Sequence, residues 1–135
     1  MAMIVWDASY SVNNSELDAQ HKKWLEIIND LLASLEKSGG DSADISLEAL
    51  TAMLHYARQH FMAEEKYMRE ICFPETIAHI RIHNEFYGQV SSSLLAAESG
   101  GLILAADLLR FMRGWLLEHI LNEDKKYSLY AARAV

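Results

Sequence analysis

Four stretches of this chain place apolar residues three and four positions apart, and every one of those stripes is interrupted by histidine. The first stripe is Leu17, Trp24, Leu25, Ile28, Leu31, Leu32 and Leu35, with His21 between Leu17 and Leu25. The second includes Met53, Ala57, Tyr67 and Ile71, with His60 and Glu64 set among them. On the third, His79 and His83 lead into Phe86, Tyr87, Val90 and Leu94; on the fourth, Leu108, Met112, Trp115 and Leu116 lead to His119. The spacing is that of amphipathic helices whose apolar faces turn inward. A fold that buries these faces must also bury the histidines.

Glycine pairs at Gly39-Gly40 and Gly100-Gly101 and the single proline, Pro74, divide the stripes, and such residues end helices. The first helix is predicted to begin near Ser15, with Asp18 three residues on as a variant of the capping box. The second is predicted from about Ser46 to Ile71, the third from Glu75 to Glu98, and the fourth from Leu102 to near Leu121. Strand signals are nearly absent. The expected fold is all-α: an up-down-up-down four-helix bundle of helices about 30 Å long. The start, "MAMIVWDASYSVNN", reads as an extended N-terminal arm that packs Trp6 against the bundle. One domain is expected over residues 1–135.

With 51% hydrophobic residues the chain is globular rather than disordered. Its net charge is -7, from 12 basic and 19 acidic residues. Without a basic cluster it is a poor partner for nucleic acid or anionic membranes. There is no basic, apolar leader at the start and no run of about 18 apolar residues, so neither a signal peptide nor a membrane span is expected. Cys72 is the only cysteine, which fits a cytoplasmic location.

A lone histidine on an apolar face is more often a hydrogen-bonded core residue than a ligand, and a single His-x-x-x-His is weak evidence of a metal. Here the conjunction decides. His21, His60, His79, His83, His119 and Glu64 come from four helices, and the stripes hold too few other polar groups to satisfy them. Asp124 is less obvious, because five residues after His119 is about 140° around an ideal helix. The two converge only if the helix ends or distorts between them, and "LNEDKK" is polar enough for an end.

Five imidazoles and two carboxylates exceed the needs of one tetrahedral zinc. They suit two metals of higher coordination number that share carboxylates, and a mixed nitrogen and oxygen set suits iron, with manganese, zinc or cobalt as alternatives. The zinc-protease pattern fails because Ile80 follows His79, and the paired Glu-x-x-His of ferritin-like di-iron proteins is absent. Mostly neutral imidazole ligands leave ferrous ions less strongly reducing, so reversible dioxygen binding is expected to compete well with oxygen activation. Histidine ligation also predicts that acid drives the metal out, below the free imidazole value of about 6.5.

The stretches "VWDASYSVNNSELDAQHKKW", "HFMAEEKYM", "PETIAHIRIHNEF" and "WLLEHILNEDKKY" resemble the hemerythrins, specifically single-domain bacteriohemerythrins. The resemblance implies a bundle around two non-haem iron ions with an oxo or hydroxo bridge. His79, His83 and His119 would hold one iron. His21 and His60 would hold the other, which keeps a position open for dioxygen, and Glu64 and Asp124 would bridge. Leu116 matches the leucine that lines the dioxygen pocket, and Trp24 stands where relatives carry a smaller aliphatic residue. The implied function is oxygen storage, delivery or sensing, with no enzymatic activity. The competing readings are a di-iron oxidase, a peroxide or nitric-oxide scavenger, an iron- or oxygen-responsive regulatory module, and a metal-free interaction bundle. Small anions or nitric oxide are further expected ligands.

The remaining candidates have plainer readings. His55 should face solvent, Cys72 should be a buried inert thiol, and Glu65 should be solvated or support the site. The methionines beyond the first should fill core or boundary gaps.

Overall fold

The computed structural model describes residues 4–37, 47–98 and 105–133. Helix α1 spans Ser15–Lys37, α2 Leu47–Glu70 and α3 Thr76–Glu98. Helix α4, Ala105–Glu118, passes through a π-helical stretch, His119–Asp124, into α5, Lys125–Arg133. The residues flanking that stretch, Glu118 and Lys125, keep helical backbone angles, so α4, the π stretch and α5 form one rod. The fourth helix therefore does not end near Leu121, as its polar sequence suggested; it widens and continues. No strand occurs among the described residues. The glycine pairs, Ser46 and Leu102 lie outside them.

Cross-helix pairs give the topology. Going up α2, Arg58 meets Tyr87, Phe61 stacks on His83, and Glu64 meets His79, so α3 runs antiparallel to it. The same logic joins Phe86 to Phe111, His83 to His119 and His79 to Tyr127 between α3 and the fourth rod. Trp24 meets Trp115 and His21 meets Asp124, which sets α1 antiparallel to that rod. Trp24 with Phe61 and His21 with Glu64 do the same for α1 and α2. The result is the expected up-down-up-down bundle, with every apolar stripe turned to a common axis.

Two apolar clusters flank the polar layer. The larger includes Trp24, Ile28, Phe61, Phe86, Met112 and Leu116. The smaller joins Val12, Leu17, Met68, Phe73 and Tyr127. Met53, Met68 and Met112 fill the core as expected, but Met62 is 61% exposed on the outer face of α2. His55 is exposed, as predicted.

Helix α1 is capped by Asn14, whose Oδ1 accepts from the Leu17 N–H at 3.1 Å. Asp18 does not close a capping box. Its carboxylate reaches back to the arm and accepts from Ser11 Oγ at 2.6 Å and Val12 N at 2.8 Å. The arm is held a second time by Asn29, a buried polar residue in the α1 stripe. Its side chain accepts from Ile4 N at 3.0 Å and donates to Ile4 O at 2.8 Å, as a neighbouring strand would. Trp6 packs partly buried on the main cluster, with the Lys22 ammonium 5.0 Å from its ring centroid. Replacing Asn29 with Ala orphans both backbone groups of Ile4. We expect a stability loss of about 1–3 kcal/mol, read from urea unfolding, with the metal centre retained.

Helix α2 stops in a Schellman motif before Pro74 comes into play. Phe73 N donates to Met68 O at 2.9 Å, and Cys72 N to Arg69 O at 3.1 Å. Cys72 takes the left-handed position, φ 56°, which glycine usually occupies. The motif buries Phe73 against Met68 and turns the residue between outward. Cys72 is therefore exposed, not the buried thiol its sequence context suggested.

Candidate metal centre

Each wall of the bundle delivers part of one buried polar layer. Helix α1 carries His21. One face of α2 carries His60 and Glu64, and one face of α3 carries His79 and His83, because residues four apart on a helix share a face. The fourth rod carries His119 and Asp124. In a π-helix the hydrogen-bonded ladder runs i→i+5, so residues five apart stack on one side. The π stretch begins at His119 and ends at Asp124, which brings the two together. His119 Nε2 lies 2.9 Å from Asp124 Oδ1.

Two donor groups result, and they share the carboxylates. The first is His79, His83, His119, Glu64 and Asp124; the second is His21, His60, Glu64 and Asp124. In the first, Glu64 Oε1 is 3.2 Å from His79 Nε2 and 2.9 Å from His83 Nε2. Asp124 Oδ1 is 3.0 Å from His79 Nε2. In the second, the other oxygens take over: Glu64 Oε2 is 3.4 Å from His21 Nε2 and 3.3 Å from His60 Nε2, and Asp124 Oδ2 is 3.1 Å from His21 Nε2. Each carboxylate thus offers one oxygen to each group.

The arrangement fits a pair of metal ions better than hydrogen bonding alone. His119 Nε2 lies 3.0 Å from both His79 Nε2 and His83 Nε2. Three nitrogen atoms cannot all be satisfied by sharing protons at that spacing. Both Asp124 oxygens and His21 Nε2 are buried and make no well-aligned hydrogen bond, although they sit close to one another. Donor atoms aimed at a shared point between them, rather than at each other, have this geometry.

The layer is strongly coupled electrostatically. Burial pushes the His21 imidazole down, but Asp124 and Glu64 outweigh it and raise the group to about 9. The same balance holds His79 at about 9 and His119 at about 10. At His60 burial wins over Glu64 and lowers it. Glu64 resists its own burial through four imidazoles and stays well below the usual carboxylate range. Asp124, opposed by burial and by Glu64, is lowered chiefly by His119 and His21. Tyr127 is held far up by burial and the two carboxylates, so it remains a donor. Its hydroxyl donates to Glu64 Oε2 at 2.9 Å.

A second ring of contacts orients the layer. His60 Nδ1 bonds Gln20 Oε1 at 2.7 Å, and His83 Nδ1 bonds Glu65 Oε2 at 2.9 Å. Phe61 stacks on His83, centroids 3.9 Å apart, and Trp115 on His119 at 4.4 Å. Trp24 is fully buried in an edge-to-face contact with His60, 6.0 Å between centroids, and Leu116 is fully buried in the same apolar cluster. Of the supporting residues, sequence reasoning gave Glu65 only an open role and missed Gln20 and Tyr127. Tyr127 had a legible signal: helical spacing continued past Asp124 puts it one turn on. An expected helix end near Leu121 hid it.

The sequence model of the Hemerythrin HHE cation binding domain matches residues 12–129. The chain belongs to the hemerythrin family. A hemerythrin-like protein of Naegleria gruberi is 33% identical over 124 residues, covering 91% of this chain and 89% of that protein. The bacteriohemerythrin of Stenotrophomonas maltophilia is 30% identical over 129 residues, covering 95% of this chain and 81% of its own. Among solved structures, a wild-type hemerythrin crystal structure superposes with a TM-score of 0.82 at 28% identity, covering 94% of this chain and 96% of that one. Hemerythrin domains bind a di-iron centre, and the histidine and carboxylate cluster here suits one. No helix among the described residues is long and apolar enough to cross a membrane.

Proposed function

We propose that this hemerythrin domain, spanning residues 1–135, binds dioxygen reversibly for storage, delivery or sensing, and is not an enzyme. His79, His83 and His119 would hold one iron and His21 and His60 the other, with Glu64 and Asp124 each offering one oxygen to either side. The observation that carries the reading is the split of oxygens: Oε1 and Oδ1 face three imidazoles, Oε2 and Oδ2 face two. One position therefore has five protein donors and the other four. The poorer one keeps room for a small diatomic ligand, and azide or nitric oxide would compete there.

The chemistry that a ferrous pair supplies when bound is reversible capture of dioxygen. The chain's own part is to hold and shelter it. Tyr127 steadies Glu64 with a hydrogen bond. Trp24, Phe61 and Leu116 exclude water around the layer. The place of action is proposed as the cytoplasm, where a single thiol such as Cys72 stays reduced. Metal analysis, with absorption spectra of the reduced protein before oxygen, after oxygen and after purging, tests the reading. Two irons and a band that comes and goes are expected. Continuous oxygen or peroxide consumption by the protein would instead mark it as an oxidase or scavenger.

Trp24 belongs to this proposal as part of the apolar wall beside His60. Trp24→Ile removes bulk and keeps the surface apolar, at a cost of roughly 2–3 kcal/mol for the cavity. The variant is expected to bind two irons, admit azide faster in stopped flow and autoxidise faster. Unchanged rates at full iron content would make Trp24 ordinary core packing.

A further inference from the structure

We infer that Glu65 and Gln20 are positioning residues that make the two metal positions electronically unequal, with Glu65 turning His83 into a stronger donor than His60. The inference rests on the metal assignment proposed above. His60 and His83 make corresponding contacts on opposite sides of the layer. Each directs Nε2 inward, 3.3 Å from Glu64 Oε2 and 2.9 Å from Glu64 Oε1 respectively. Each directs Nδ1 outward to one side-chain oxygen. An oxygen without a hydrogen can only accept, so the ring proton sits on Nδ1 and the Nε2 lone pair is left for a metal.

The two acceptors differ in charge. Gln20 offers a neutral amide oxygen, whereas Glu65 offers a carboxylate. A hydrogen bond to an ionised acceptor is roughly twice as strong as one between neutral groups. It also shifts electron density through the ring toward Nε2 and raises ligand basicity. Glu65 is suited to carry its charge there. Its side chain is 15% exposed, at a cavity of about 330 Å³ between α2 and α3 that Arg58, Met62 and Tyr87 also line. Water reaches the carboxylate from outside while its Oε2 faces the imidazole. By contrast, Nδ1 of His21 and of His119 is buried without a hydrogen-bond partner. The negative charge therefore acts on the three-histidine position, where it favours the ferric over the ferrous ion.

The test uses the full chain, wild type, Glu65→Gln and Gln20→Glu. Both substitutions are isosteric, so each can retain its hydrogen bond while one loses a charge and the other gains one. Metal-free protein is titrated with zinc against a competing chelator, and the iron-loaded protein is titrated electrochemically. Glu65→Gln should weaken one zinc site about tenfold, within the usual range for an outer partner. It should raise the potential of one iron by about 59 mV, the one-electron equivalent of tenfold. Gln20→Glu should move both quantities the other way. A merely structural role would weaken both variants alike, and that result overturns the inference. So do unchanged affinities and potentials in variants that still bind two metals. Failure of the wild type to bind two metals would overturn the site assignment itself, and the inference with it.

Discussion

Glu64→Ala is expected to empty both metal positions at once. Glu64 is fully buried, and its two oxygens serve the two donor groups separately. Alanine removes one donor from each group and one negative charge from the centre of the layer. It also leaves the Tyr127 hydroxyl without its acceptor in the core. A buried group orphaned in this way costs about 1–3 kcal/mol. The remaining imidazoles, packed 3.0 Å apart at Nε2, then lack half of the charge that made their convergence tolerable. The variant should emerge from desalting with far less than one iron per chain, without the wild-type spectrum, and with a lower unfolding midpoint. Two irons and an unchanged spectrum would show that Glu64 does not bridge.

Metal affinity should fall steeply with pH, and from a higher pH than free imidazole implies. In the metal-free site His21 and His79 are raised to about 9 and His119 to about 10. Around neutral pH the carboxylates of the layer therefore keep protons on this cluster of imidazoles, and a metal must displace them. Metal uptake should then release protons, so affinity drops by about tenfold per pH unit for each proton displaced. The expectation from sequence alone put this window below about 6.5; the carboxylates facing the histidines move it upward.

Stability of the metal-free fold runs the other way. Groups raised above their ordinary 6.5 stabilise it fully below 6.5 and lose that effect as pH rises through 9 to 10. Glu64 and Asp124 are lowered, so their contribution is present above their ordinary 4.5 and 3.8 and is lost as acid protonates them. His60 is lowered, so its contribution is present above its ordinary 6.5 and is lost as pH falls below it. Metal-free protein should therefore resist urea best near about pH 6.5, whereas the added stabilisation from metal grows toward alkaline pH. Calorimetry in buffers of different ionisation enthalpy counts the protons. Metal uptake at pH 7 with no proton release would refute the account.

Much of this was legible along the chain because helical periodicity is a local property. Residues four apart share a face whatever surrounds them, so His60 with Glu64 and His79 with His83 could be paired on sight. Burial followed from the apolar residues around them. Four such faces, each with a histidine, leave few folds other than a bundle closed on a polar layer.

Asp124 marks where local reasoning ran out. A regular helix sends it about 140° from His119; the structure brings it back with a π stretch instead of a helix end. That choice depends on contacts across the bundle, with His21 on one side and His79 on the other. Tyr127, beyond the expected helix end, became part of the site for the same reason. Gln20 was visible as a polar residue, but its partner His60 lies on another helix. Cys72 and Asn29 were decided by the Schellman turn and the returning arm. Which residues lie on which helical face follows from their order along the chain, because a few backbone angles set that spacing. The tertiary structure alone decided which oxygen meets which imidazole and which polar groups support them, because those pairings join residues distant in the chain, where only packing sets the distance.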